Sequence, residues 1–109
     1  MASNTPKRGL PSRFRKFQKA HPDLARAVEQ LGTAATNAGP LDRKTVESLR
    51  LAIAVGAREE GGVHSHTRRA LEAGAKPAEI RHAVLLSITS IGFPNTMAAM
   101  SWVDDVLKK

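Results

Sequence analysis

Residues 42–75 read DRKTVESLRLAIAVGAREEGGVHSHTRRALEAGA and contain the clearest helix signals in the chain. The stretch predicts a helix that starts after Asp42, a residue type that caps helix N-termini. The glycine pair Gly61-Gly62 is then expected to form a joint, short enough to reverse the chain into another helix over about 63–73. Gly74 suits the position just past that helix, because glycine readily adopts a left-handed backbone conformation. The stretch therefore predicts two antiparallel helices.

Further helices are predicted on both sides of this pair. Pro22 and Pro77 each suit the first turn of a helix, where a missing N–H costs nothing. Gly39-Pro40 breaks the chain after the first of these helices, and a final helix is predicted from about Asn95 to Leu107. No stretch has the alternating pattern of a strand. The sequence therefore predicts an all-α fold, an antiparallel bundle of about five helices.

Helical spacing also predicts which residues face the core. On the helix after Asp42, the expected inner face comprises Val46, Leu49, Ala52, Ile53 and Gly56, and a second, partly apolar face comprises Leu51, Ala54 and Val55. From Ala83 to Ile91 the sequence is apolar almost all round, which predicts burial on more than one side. In a chain of 109 residues the simplest second cover is another copy of the chain, so we expect a homo-oligomer.

Composition excludes several classes of function. The chain has no cysteine, which removes disulfides, thiolate nucleophiles and cysteine-ligated metal centres together. No apolar run approaches the ~18 residues needed to span a bilayer, and no apolar segment follows the basic N-terminal residues. We therefore expect a soluble cytoplasmic protein with neither a membrane span nor a secretory signal.

The net charge of +7 is concentrated at one end of the chain. Six basic residues and no acidic one lie within the first twenty positions, namely Lys7, Arg8, Arg13, Arg15, Lys16 and Lys19. Residues 1–19 are predicted to be a basic, mostly irregular segment, and residues 20–109 the helical domain. The domain is nearly neutral and lacks interleaved aromatic residues, so specific nucleic-acid binding is not expected. The segment is interpreted as a solvated leader, or as a weak contact for nucleic acid, anionic lipid or a partner subunit.

Histidines and glutamates around the joint raise a metal hypothesis. His64 and His66, with Glu59 or Glu60, are ligand types that suit zinc, iron or nickel. Positions two apart on a helix point about 200° away from each other, so these two imidazoles do not easily share an ion. We therefore predict no metal or cofactor, and a metal-dependent enzyme remains an alternative.

Glu47 and His66 form a second constellation, one on each of the two central helices. If the helices bring the two together, the carboxylate orients the imidazole and makes a proton-transfer unit that works near neutral pH. This contact needs a particular packing that spacing alone does not supply. The alternative is that Glu47 is a surface carboxylate and His66 a hydrogen-bonded core residue.

The stretch from Leu41 to Leu107 resembles the carboxymuconolactone decarboxylase / alkylhydroperoxidase D superfamily. The signature of its peroxidase branch is Glu, eleven residues, Cys, two residues, Cys, three residues and His. Here Glu47 and His66 keep the outer positions at that spacing, while Glu59 and Gly62 stand at the two cysteine positions. The run HTRRALEAGA that begins at His66 resembles the family's next motif.

The resemblance implies an alkylhydroperoxidase D-like bundle that assembles as a trimer or as a hexamer of dimers. It disfavours thiol-based peroxide reduction here, because neither cysteine is present and the Glu59 carboxylate has no accessible two-electron oxidation. It implies decarboxylase- or lyase-type acid–base chemistry on a small carboxylated molecule, with Glu47 and His66 as the catalytic pair. The alternatives are a non-catalytic binding or structural member, or a member assigned to peroxide reduction despite the lost cysteines.

Substrate-binding residues are expected near this pair. Guanidinium groups bind carboxylates with two parallel hydrogen bonds, and imidazoles can line the same pocket. The candidates are Arg50, Arg58, Arg68, His64 and His82.

Overall fold

The computed structural model describes residues 12–108. Its helices are α1 (Ser12–Ala20), α2 (Pro22–Thr36), α3 (Arg43–Gly56), α4 (Glu60–Glu72), α5 (Pro77–Leu85), α6 (Ile88–Ile91) and α7 (Phe93–Leu107). Residues 12–108 contain no strand, so the prediction of an all-α fold is confirmed. The chain divides between Pro40 and Leu41 into two compact units. No helix within the described range is long and apolar enough to cross a membrane.

The helices outnumber the predicted five because two regions differ from expectation. Helix α1 occupies Ser12–Ala20, where irregular structure was expected; residues 1–11 lie outside the described part of the chain. The rings of Phe14 and Phe17 stack with centroids 6.5 Å apart, which supports a helical turn despite the basic composition. The helix predicted to start at Pro77 ends at Leu85, within the apolar run from Ala83 to Ile91, and the Ser87 hydroxyl donates to the Val84 carbonyl at 2.7 Å. Such local bonds compete with helix continuation.

Several predicted helix ends are confirmed. The Asp42 carboxylate accepts a hydrogen bond from the Thr45 N–H at 2.8 Å, and hydrogen bonds from the side chain and backbone of Thr45 lower the pKa of Asp42. Pro22 and Pro77 lie in the first turns of their helices. Gly74 has a φ of +101° after α4, the left-handed conformation expected there.

The joint between α3 and α4 is formed by Arg58 rather than by the glycine pair. Arg58 has a φ of +55°. Its N–H donates to Val55 at 3.0 Å, and the Glu59 N–H donates to Ala54 at 3.0 Å, the paired bonds of a Schellman motif. Gly61-Gly62 lies inside the first turns of α4. The prediction of a glycine joint was therefore wrong.

The core of the second unit lies among α3, α4, α5 and α7. Helix α3 packs along α4, α4 also packs on α7, and α5 packs on both α7 and α3. The buried apolar side chains of this core are Leu51, Ala54, Val55, Val63, Ala70, Ala75, Ile80, Val84, Ala99 and Val103.

The face of α3 that is buried is the second of the two apolar faces in the sequence. Leu51 is fully buried, whereas Leu49 is 48% exposed and Ile53 is 69% exposed, so the expected inner face was wrong. The buried face carries small residues that allow close helix packing: a Cβ added at Gly62 would lie only 3.1 Å from the Ala54 Cβ. Two apolar faces give the same periodicity, so spacing alone does not choose between them.

Thr67 is a fully buried core residue of α4 whose hydroxyl has no hydrogen-bond partner within residues 12–108. We expect Thr67→Val to raise the free energy of unfolding by about 1 kcal/mol, because it removes an unsatisfied buried group at nearly constant shape. Urea unfolding followed by circular dichroism measures the change.

Thr96 on α7 provides the matched control for this substitution. It is equally buried, but its hydroxyl donates to the Gly92 carbonyl at 2.8 Å and lies 3.0 Å from the Ser87 hydroxyl. Thr96→Val should therefore destabilise the protein by about 1 kcal/mol or more. The same sign of change for both variants would contradict the assignment.

Candidate proton-transfer site

Glu47 and His66 meet in the structure, at the packed face between α3 and α4. The His66 Nδ1 lies 2.9 Å from the Glu47 Oε1, across nineteen positions of sequence. Glu47 is 4% exposed, and the His66 side chain is about one-fifth exposed. The carboxylate is thus held in the interior, while the imidazole keeps contact with the surface. A carboxylate in this position accepts the Nδ1–H and leaves Nε2 to exchange a proton.

Arg50 completes the inner part of the site. It lies one turn after Glu47 on α3, and its guanidinium donates to the second Glu47 oxygen, Oε2, at 3.3 Å. A buried charge is costly unless it is paired and hydrogen-bonded. Glu47 is bonded at both oxygens, to a histidine and to an arginine, which explains how a carboxylate is accommodated on the buried face of α3.

The two positions that carry cysteine in the peroxidase branch have a different surrounding here. Glu59 is exposed at the N-cap of α4, without a side-chain capping bond. Gly62 faces Ala54 so closely that a cysteine Cβ would lie at 3.1 Å from its methyl group. A side chain at position 62 would therefore require Ala54 to shift by a few tenths of an ångström.

The remaining predicted site residues do not gather around the Glu47–His66 pair. The Arg58 guanidinium donates to the Asn95 side chain at 3.3 Å, and His82 is exposed on α5. His64 lies on another side of α4, where its Nε2 is 2.9 Å from the Asp105 Oδ2. Of the candidates for substrate binding, Arg50 is the residue with a hydrogen bond to the pair within residues 12–108.

Arg68 lies two positions after His66 and therefore points to a different side of α4. Burial, together with the neighbouring charge of Arg69, lowers the pKa of Arg68, and the charge of Glu72 opposes this shift. The side chain is half-buried. Its position separates it from the Glu47–His66 pair within one chain.

Asp105 and Asn95, both on α7, were missed by sequence reasoning. Each contacts a residue near the α3–α4 joint from 41 and 37 positions away, respectively. No local sequence motif predicts a contact between residues so far apart in the sequence. The only sequence signal was a carboxylate at the polar edge of an otherwise apolar final helix.

The fold and the site together define a class: an all-α protein in which a buried glutamate on one helix pairs with a partly exposed histidine on the next. A family model, the carboxymuconolactone decarboxylase family, matches residues 22–105. The chain belongs to this family.

A crystal structure similar to this chain is that of an apo carboxymuconolactone decarboxylase family protein from Legionella pneumophila. The two are 27% identical with a TM-score of 0.75, and the match covers 89% of this chain and 87% of the other. No curated protein matches the chain.

Proposed function

We propose that this protein catalyses acid–base chemistry of the decarboxylase or lyase type on a small carboxylated molecule, such as a lactone acid. The observation that carries the proposal is the 2.9 Å contact between the His66 Nδ1 and the buried Glu47 carboxylate. Family membership supports the substrate class, because the family is named for the decarboxylation of carboxymuconolactone.

The proposed reaction assigns one role to each residue. When the bond to the carboxylate carbon breaks, carbon dioxide leaves and its electron pair is delocalised into the ring as an enolate. The His66 Nε2–H then protonates the ring carbon, and the imidazole regains its proton from water. Glu47 accepts the Nδ1–H throughout and stabilises the imidazolium, while Arg50 fixes the carboxylate. Arg50 also provides a cation beside the site for a second substrate carboxylate.

The direct test is turnover of carboxymuconolactone by the purified chain in deuterated water. We expect release of one carbon dioxide per product and one deuterium at the ring carbon next to the lactone carbonyl, where the enolate is protonated. Absence of carbon dioxide release from this substrate and from simpler lactone acids would contradict the proposal. The same compounds raising the melting temperature without turnover would favour the second candidate, a non-catalytic binding member.

We also propose that the chain forms a homo-oligomer, a trimer or a hexamer of dimers, in the cytoplasm. The support is apolar surface that is exposed on the single chain. Leu86, between α5 and α6, is 65% exposed, and Leu85 and Ile88 are exposed beside it. Single exposed apolar residues are ordinary, but neighbouring ones in a stretch that is apolar all round indicate a covered surface.

Leu86→Glu is expected to dissociate this oligomer, because it places a charge in an interface that would have to desolvate it. Sedimentation velocity should show the parent chain as a trimer or hexamer and the variant at a smaller mass. Ala78→Glu, at an exposed position of the same α5 helix, is the control and should leave the mass unchanged. A monomeric parent chain would refute the oligomer.

A further inference from the structure

Three potential metal ligands meet on the side of α4 that faces α7, and we call them the α4–α7 triad: Glu60, His64 and Asp105. The His64 Nε2 lies 2.9 Å from the Asp105 Oδ2 and 3.9 Å from the Glu60 Oε2. One ligand atom from each residue lies within 4.8 Å of the other two. His64 and His66 point about 200° apart on α4, so the triad is separate from the proton-transfer pair.

We propose that the α4–α7 triad binds a divalent transition-metal ion, with Zn²⁺ as the best fit. The proposal is independent of the proposed function. A tetrahedral zinc ion with bonds of about 2.0–2.2 Å places its ligand atoms roughly 3.3–3.6 Å apart. The two separations measured from the imidazole, 2.9 and 3.9 Å, lie on either side of that value. One imidazole and two carboxylates are a donor set that suits zinc.

The side chains can make the small adjustment that a metal ion would require. The Glu60 and Asp105 side chains are 57% and 56% exposed, so their carboxylates can rotate without disturbing the core. His64 is less exposed, at 26%, and both carboxylates lie within 4 Å of its Nε2. Three protein ligands leave a fourth position for water from the solvent side.

The charges around the triad also favour a cation. Within residues 12–108, neither Glu60 nor Asp105 pairs with a lysine or arginine, whereas the neighbouring Asp104 is occupied by Arg81 at 3.0 Å. Two carboxylates therefore face one imidazole. The positive end of the α4 dipole and the guanidinium of Arg68, one turn beyond His64, oppose a cation. The two negative charges of the triad offset both of these influences.

Binding would connect α4 to α7 through the metal, since Glu60 and His64 lie on one helix and Asp105 on the other. A ligand that binds the folded state alone stabilises it in proportion to the logarithm of its concentration. The melting temperature of the full chain should therefore rise steadily with added zinc once binding is saturated.

The test uses the full chain without a histidine tag, titrated with zinc chloride by isothermal calorimetry near neutral pH. We expect one zinc ion per chain at a stoichiometry independent of protein concentration. Asp105→Asn and His64→Gln should each weaken binding roughly tenfold or more, because even outer-shell partners of a metal contribute about that much. Glu59→Gln removes an exposed carboxylate next to Glu60 and should leave the affinity unchanged.

Other outcomes would overturn the proposal. Binding that is lost in His66→Gln and retained in His64→Gln would place the metal at the proton-transfer pair instead. Equal affinity for Mg²⁺ and Zn²⁺ would contradict an imidazole-ligated site, because Mg²⁺ prefers oxygen ligands. Absence of zinc binding, with a folded chain by circular dichroism, would leave His64 and Asp105 as a simple hydrogen-bonded pair.

Discussion

Replacing His66 with glutamine is expected to lower the turnover of a lactone acid by about one hundred- to ten-thousand-fold, the usual contribution of a general acid. Glutamine keeps the approximate size and the polarity of the side chain but has no nitrogen that can donate a proton and regain it. Glu47 keeps its ion pair with Arg50 at 3.3 Å, so the substitution does not leave the buried carboxylate without a charged partner. The loss should therefore fall on kcat, with the fold intact.

Steady-state kinetics measure this loss. Glu47→Gln should lower kcat less than His66→Gln, since the amide still orients the ring but does not stabilise its positive charge. His21→Gln, an exposed histidine on the other unit, is the control. Unchanged turnover in His66→Gln would remove this residue from the mechanism.

The largest effect on stability is expected from Leu51→Ala. Leu51 is fully buried on α3, within the core formed with α4, α5 and α7. Truncation removes its transfer free energy and leaves a cavity, which together cost about 2–5 kcal/mol. Because the chain has a small core, a loss of this size should lower the midpoint of urea unfolding strongly or prevent folding altogether.

Leu49→Ala is the matched control, a leucine on the same helix two positions earlier. It is 48% exposed, so truncation should cost much less at a protein concentration where the chain is monomeric. Any further cost should appear only at concentrations where copies associate, which urea unfolding at several protein concentrations would reveal. A larger loss from Leu49→Ala than from Leu51→Ala in the monomer would show that the buried face of α3 is misassigned.

The candidate site was predicted from the sequence only in part. The spacing of Glu47 and His66, together with the family resemblance, marked both residues before any geometry was available. The sequence did not distinguish this pair from the other candidate residues, which are His64, Arg58, Arg68 and His82. In the structure Arg58 and His64 have hydrogen-bond partners on α7, His82 is exposed and Arg68 is half-buried. A helix turns 100° per residue, so neighbours in sequence at such positions face different sides. Only packing shows which side meets α3.

Features that depend on neighbours within about one helical turn could be predicted from the amino-acid sequence. The cap at Asp42, the proline starts of α2 and α5 and the left-handed Gly74 follow from local hydrogen bonding and backbone sterics. These local features were sufficient to predict an all-α bundle.

Tertiary packing selects which of the two apolar faces of α3 is buried and which distant side chains meet. Packing buries Leu51 and leaves Leu49 exposed, and it brings Asp105 next to His64. The physical reason is that burial free energy is summed over the whole packed unit. The face that carries Glu47 also carries Leu51, Ala54 and Val55, whose burial is favourable. His66 and Arg50 offset the cost of burying the Glu47 carboxylate, and Ala54 and Gly62 allow α3 and α4 to approach closely.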